Sequence, residues 1–118
     1  MIQVLLNAGI TSDKTFQKMD HASWQTVLAT NLDGVFNCTK VFIDNMVTSG
    51  WGRVVNITSV IGQIGNFGQV NYAASKAGVA AFTKSLAQEV ARACMYLCSA
   101  DGEYITGSEL KINGGLYM

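Results

Sequence analysis

Apolar residues fall along this chain in two rhythms, and the changes from one to the other predict its elements. Ile2 to Leu6 is a short apolar run that stops at Asn7-Ala8-Gly9, as a buried strand of a parallel sheet does on entering a loop. Thr11 to Met19 is polar and irregular. Asp20 then offers an N-cap, and Trp24, Leu28, Leu32, Val35, Phe36, Phe42 and Met46 recur at helical spacing until Ser49-Gly50 supplies a stop. Arg53 to Thr58 reads as a second strand, β-branched and apolar, ending at Ser59. From Val60 to Gln69 a loop carries Gly62, Gly65 and Gly68, suited either to close approach of backbone to a ligand or to flexible connection alone. The helical pattern returns from Tyr72 through Val79, Phe82, Leu86, Val90, Cys94 and Leu97, a long stretch without an internal cap. Leu110-Lys111-Ile112-Asn113 reads as a closing strand before Gly114-Gly115.

Strand, helix, strand, helix, strand is the order of an α/β fold, with right-handed crossovers and helices packed on a parallel sheet. Ligands of such sheets bind beyond the carboxyl ends of the strands. Ser59 and Tyr72 both lie just past the end of the second strand, so one crevice can hold both.

Tyr72 and Lys76 carry the most pointed chemistry. At a spacing of i, i+4 a helix stacks phenol and ammonium on one face. A nearby ammonium favours phenolate over phenol, which brings a tyrosine toward general acid work on a carbonyl. The competing reading is a half-exposed tyrosine over a solvated lysine. Ser59 alone is equally a strand-end turn residue, and Asn31 alone a polar residue tolerated at a helix kink.

Composition narrows the setting. Hydrophobic residues make up 49% of the 118 and charged residues 14%, and eight acidic side chains balance eight basic ones. That is one small domain with no basic patch for nucleic acid. Apolar runs fall far short of the roughly 20 residues that cross a bilayer. The start, Met1-Ile2-Gln3-Val4-Leu5-Leu6, lacks the layout of a signal peptide, so a cytoplasmic location is expected. Cys38, Cys94 and Cys98 form no Cys-x-x-Cys pair, and with the single His21 they make no zinc set. They are expected to be reduced, mostly buried thiols, although Cys94 and Cys98 share a helical face. His21 reads as a surface residue of a first helical turn. Proline is absent altogether.

Asn7-Ala8-Gly9, Asn31 within Thr30-Asn31-Leu32-Asp33-Gly34, Ser59, and Tyr72 with Lys76 together resemble, in order, the motif series of the short-chain dehydrogenases/reductases. The interval of 13 residues from Ser59 to Tyr72 agrees with that series. The resemblance covers nearly the whole chain and is closest to the bacterial 3-oxoacyl-thioester reductases. Trp51 to Ile57, Gly68 to Tyr72, Phe82 to Glu89 and Asn113 to Met118 are all similar to that branch.

It implies a Rossmann-like three-layer fold and hydride transfer from NADPH, with NADH open, to the 3-keto group of an acyl thioester. The thioester would be that of CoA or of acyl carrier protein, as in fatty acid biosynthesis. By the same resemblance, Tyr72 donates the proton and Ser59 hydrogen-bonds the carbonyl. Lys76 holds the nicotinamide ribose and tunes Tyr72, while Asn31 anchors a proton-relaying water. Asn7, Ala8 and Gly9 join Tyr72 and Lys76 at the cofactor. Gln69 and Phe67 stand where this branch approaches substrate, or else merely pack the loop.

Departures from the pattern shape the expectation. Leu6 replaces the first Asn of the usual Asn-Asn-Ala-Gly. The family's Gly-rich turn and its helix have no counterpart in these residues, so roughly 80 residues of nucleotide-binding half are expected to be missing. After Glu89-Val90-Ala91 the family's strand, Pro-Gly turn and substrate lid are also absent, as a deletion between two similar stretches would leave it. Residues 1–118 are thus expected to form a single incomplete Rossmann-type domain. Two helices would fuse into one of about 40 Å from Tyr72 to about Cys98. The sheet would lose strands and expose apolar surface, favouring a homo-oligomer through the long helices. The alternative to a reductase is a non-catalytic, oligomerising remnant unable to bind dinucleotide.

Overall fold

Two short strands set the frame of the computed structural model, which describes the backbone of residues 2–97 and side chains as far as residue 89. β1 (Gln3–Leu6) and β2 (Arg53–Asn56) pair in parallel, Gln3 opposite Arg53 and Leu6 opposite Asn56. The ladder extends at both ends, from the Arg53 N–H to the Ile2 carbonyl and from the Ile57 N–H to the Leu6 carbonyl. β2 therefore ends before Thr58, although its pairing reaches Ile57. The expected third strand, Leu110 to Asn113, lies outside the described residues.

Asp20 caps α1 (His21–Leu28) as expected, its Oδ1 accepting the Ser23 N–H at 2.7 Å. His21 is exposed in the first turn of that helix. The preceding segment is less irregular than its polarity suggested, since Phe16–Lys18 closes a 3₁₀ turn. α2 (Gly34–Ser49) ends at Gly50 in the left-handed region, φ 65°, where a side chain would be strained. Between them Ala29–Asp33 forms a π-helical turn, so the segment read as one helix is two, joined by an expanded turn.

The buried face of this pair is Val27, Asn31, Val35, Thr39 and Met46. Phe36 and Phe42 fall off it; Phe36 is 53% exposed. Helical spacing read on the apolar residues thus caught Val35 and Met46 but also took in Phe36 and Phe42, which flank the contact, and passed over Val27 and the polar Asn31 and Thr39. Cys38 is exposed too, which corrects the expectation of a buried thiol there, while Cys94 and Cys98 lie beyond the described side chains.

α3 (Ile61–Ile64) is a single turn inside the glycine-bearing loop, and α4 (Val70–Leu97) is the long helix. Its 28 residues match the expected fusion in length. α2 and α4 both touch the sheet and each other. They cover one face only: burial alternates along both strands, leaving Leu5 64% and Val55 50% exposed on the other side. The described residues thus supply two layers of the expected three, and the strands are half buried rather than enclosed. The architecture is that of a partial α/β fold.

Candidate active site

The long helix meets the carboxyl end of the sheet at Lys76. Its side chain is only 5% exposed, and Nζ donates to the Ile57 carbonyl at 2.8 Å, just where β2 runs out toward Ser59. Among the described residues no carboxylate lies within ion-pair distance of it. Burial without a counter-charge pushes the Lys76 ammonium below its ordinary value. One turn earlier on the same face stands Tyr72, with Nζ 5.9 Å from the centre of its ring. Tyr72 is half-buried, and its hydroxyl makes no hydrogen bond among the described residues.

Ser59 sits two residues past Ile57 and opens the α3 turn. Its Oγ accepts the Ile61 N–H at 3.2 Å, and its carbonyl accepts the Gly62 N–H at 3.0 Å. The turn role anticipated for this serine is therefore real. It leaves the Ser59 hydroxyl proton free to donate.

Asn31 is buried in the π-helical turn and every polar atom of its side chain is engaged. Oδ1 accepts the Ile10 N–H at 2.8 Å, while Nδ2 donates to the Ile10 carbonyl at 2.9 Å and to Ser75 Oγ at 3.0 Å. The amide thus pairs with Ile10 as one peptide group pairs with another. Ser75 passes the connection on, donating to the Tyr72 carbonyl at 2.8 Å. Asn31 ties the loop after β1 to the turn of α4 that carries Tyr72.

Asn7, Ala8 and Gly9 lie exposed in that loop. Gly9 comes nearest the site: a Cβ there would sit 3.4 Å from Lys76 Nζ and 3.6 Å from Asn31 Oδ1. The glycines of the other loop behave differently. Gly65 and Gly68 have positive φ, 73° and 77°, and serve the turns. Gly62 lies against α4, so the close approach it permits is between two pieces of backbone.

Phe67 is 87% exposed, which rules out the loop-packing role considered for it. Gln69 is clasped at both ends of its amide. Nε2 donates to Asp13 Oδ2 at 3.0 Å, and Oε1 accepts from Asn66 Nδ2 at 2.9 Å. The Lys14 N–H donates to the Gly68 carbonyl at 2.9 Å beside it, joining the two loops.

Sequence reasoning passed over Asn71, Ser75 and Asp13. Asn71 is fully buried; Nδ2 donates to the carbonyls of Ser12 at 3.1 Å and Ser23 at 3.3 Å, and Oδ1 accepts the Tyr72 N–H at 2.8 Å. A signal was present: Asn71, Ser75 and Val79 fall on one helical line, so two polar residues occupy a stripe that should be apolar. Asp13 gave none. Chemically, the site holds a half-buried phenol, a buried ammonium without a counter-ion among the described residues, and a serine hydroxyl just past the end of a parallel strand. Such a set can donate a proton to a carbonyl oxygen and hydrogen-bond hydroxyl groups of a bound ligand.

Known proteins place this chain in a family. The sequence pattern of the short chain dehydrogenases matches residues 2–99. Acetoacetyl-CoA reductase of Cupriavidus necator is 50% identical over 111 residues, covering 93% of this chain and 45% of that protein. The corresponding enzyme of Allochromatium vinosum is 37% identical over 164 positions, covering 99% of this chain and 67% of that protein. The 3-oxoacyl-[acyl-carrier-protein] reductase FabG of Aquifex aeolicus is 36% identical over 163, covering 98% and 66%. The chain thus spans from about half to about two thirds of these relatives. The two longer alignments exceed the 118 residues of the chain, so those relatives carry positions with no counterpart in it. With that match over most of its length, the chain belongs to the short chain dehydrogenase family.

Proposed function

We propose that this chain represents a reductase of 3-oxoacyl thioesters, drawing hydride from NADPH, with CoA or acyl carrier protein as the thioester's carrier. The observation that carries the reading is Lys76: a buried ammonium held by one carbonyl, with donors to spare, one turn from a tyrosine hydroxyl that has no partner among the described residues. The reductases named above add the substrate class.

In this reading the Tyr72 hydroxyl gives its proton to the 3-keto oxygen, and Ser59 donates a second hydrogen bond to the same oxygen. Lys76 places positive charge beside the phenolate that remains. The cofactor supplies the hydride when bound. Its ribose end fits the cradle where Gly9 has no side chain to block Lys76 Nζ, and Asn7, Ala8, Gly9, Tyr72 and Lys76 would hold it. Asn31 acts through position, keeping Gly9 and Tyr72 in one frame, and its relayed water belongs to the same proposal. Phe67 and Gln69 face the acyl thioester. A cytoplasmic setting and a homo-oligomer built on α2 and α4 go with this reading.

A titration of NADPH fluorescence against the purified chain, followed by turnover of acetoacetyl-CoA, tests it. Micromolar binding with turnover that falls about 100-fold or more in Tyr72→Phe supports it. No binding at millimolar NADPH overturns it. Such a result would favour the second reading, an oligomerising chain without catalysis. That reading draws on the open sheet face at Leu5 and Val55 and on exposed Phe36, Val41 and Phe42 along α2.

A further inference from the structure

We propose that Gly62 is the positioning residue that sets the distance between Ser59 and the Tyr72–Lys76 pair. The functional consequence rests on the reductase reading; the geometry does not. A Cβ on Gly62 would lie 2.8 Å from the Ala77 nitrogen, 2.9 Å from the Lys76 carbonyl carbon and 3.1 Å from Lys76 Cβ. The first two are backbone atoms, so no rotamer change relieves the overlap, and only hydrogen fits between the α3 turn and α4. Gly62 has no positive φ, unlike Gly65 and Gly68. Its lack of a side chain matters for contact, not for conformation.

The contact works because Ser59 is tethered on both sides. Upstream, the Ile57 carbonyl accepts from Lys76 Nζ at 2.8 Å. Downstream, the Ser59 carbonyl accepts the Gly62 N–H at 3.0 Å, and Gly62 rests on the backbone of Lys76 itself. One residue of α4 therefore fixes both ends of the segment that carries the serine. A methyl group at Gly62 must push the turn and the helix apart, moving Ser59 away from Tyr72 and loosening the cover over Lys76.

Lysine acylation by acetic anhydride, read peptide by peptide in a mass spectrometer, tests this without requiring activity. In the wild type, buried Lys76 reacts more slowly than Lys14, Lys18, Lys40 and Lys84. Gly62→Ala should raise the Lys76 rate alone, by about 10-fold or more, as a local opening does. Gly52→Ala, which inserts the same methyl against Met46, should leave Lys76 protected. An unchanged Lys76 rate in Gly62→Ala overturns the proposal. So does a uniform rise at all the lysines, which would make the contact a support of the whole fold rather than of one spacing. With NADPH and acetoacetyl-CoA, Gly62→Ala should lower kcat about 10- to 100-fold and leave KM within about 3-fold, the mark of misplaced chemistry rather than lost binding. A rise confined to KM, with kcat unchanged, overturns the positioning role. If the wild type itself shows no turnover, the reductase reading fails, and the labelling still decides what Gly62 does.

Discussion

Asn31 and Ser75 hydrogen-bond at 3.0 Å across 44 positions of sequence, both of them buried. This one bond joins the π-helical turn to the helix that carries Tyr72 and Lys76. The same asparagine amide holds both backbone groups of Ile10, so the loop after β1, the π turn and α4 are anchored at a single side chain.

Asn31→Ala removes that anchor and strands the Ile10 N–H. The expected loss is about 1–3 kcal/mol of unfolding free energy, because three hydrogen bonds go together, one of them buried. Ser75→Ala should lose about 1 kcal/mol, and the double variant should show coupling of about 0.5–1.5 kcal/mol. Urea unfolding of the four proteins gives the cycle. Strict additivity would mean that the two side chains act separately.

Lys76 should leave a signature in the pH dependence of stability. Its folded value is lowered by burial, so between that value and the ordinary lysine value the unfolded chain binds more protons than the folded one. Stability contributed by this site therefore rises with pH across that window, since folding no longer buries a charged group at its upper end. Lys76→Met should abolish the rise. The difference in urea midpoint between wild type and variant, followed upward from neutral pH to about 10.5, the ordinary lysine value, reads it directly. A flat difference would contradict the burial of the ammonium.

Gly52 is expected to resist substitution for steric reasons. A Cβ there would overlap Cβ, Cγ and Sδ of Met46, the buried residue of the last turns of α2. Overlap reaching Cβ moves backbone as well as side chain, so Gly52→Ala should cost about 1–3 kcal/mol. A Met46→Ala background should recover part of that cost. Thermal unfolding of the single and double variants checks both.

Phe67 offers the reverse case. With 87% of its surface exposed it carries no core packing, and Phe67→Ser should alter stability by less than about 0.5 kcal/mol. If it faces the acyl thioester, the same change should raise KM for acetoacetyl-CoA by about 5-fold or more, as losing one apolar contact does, and leave kcat near the wild-type value. Steady-state kinetics beside a melting curve separates the two roles. An unchanged KM would remove Phe67 from the substrate.

Periodicity was enough to place β1, β2 and α4, the Asp20 cap and the Gly50 stop, because each follows from interactions within a few residues. Motif order was enough to group Asn31, Ser59, Tyr72 and Lys76 as one candidate site, and chain order puts Ser59 and Tyr72 past the same strand end. The inner face of α2 was legible only in part: Val35 and Met46 were on the expected line, but that Thr39 is buried and Phe36 exposed was decided in three dimensions. In the π turn, likewise, the Asn31 amide bonds Ile10 and Ser75, partners 21 and 44 residues away that spacing along the chain does not reveal. Gly62 makes the same point most sharply. In sequence it is one of three loop glycines, and only the packing of α3 on α4 shows that a side chain there would meet the backbone of Lys76 and Ala77. Local spacing writes the elements and their chemistry into the chain, whereas contacts between distant backbones are set by shape, and shape appears only when the elements pack.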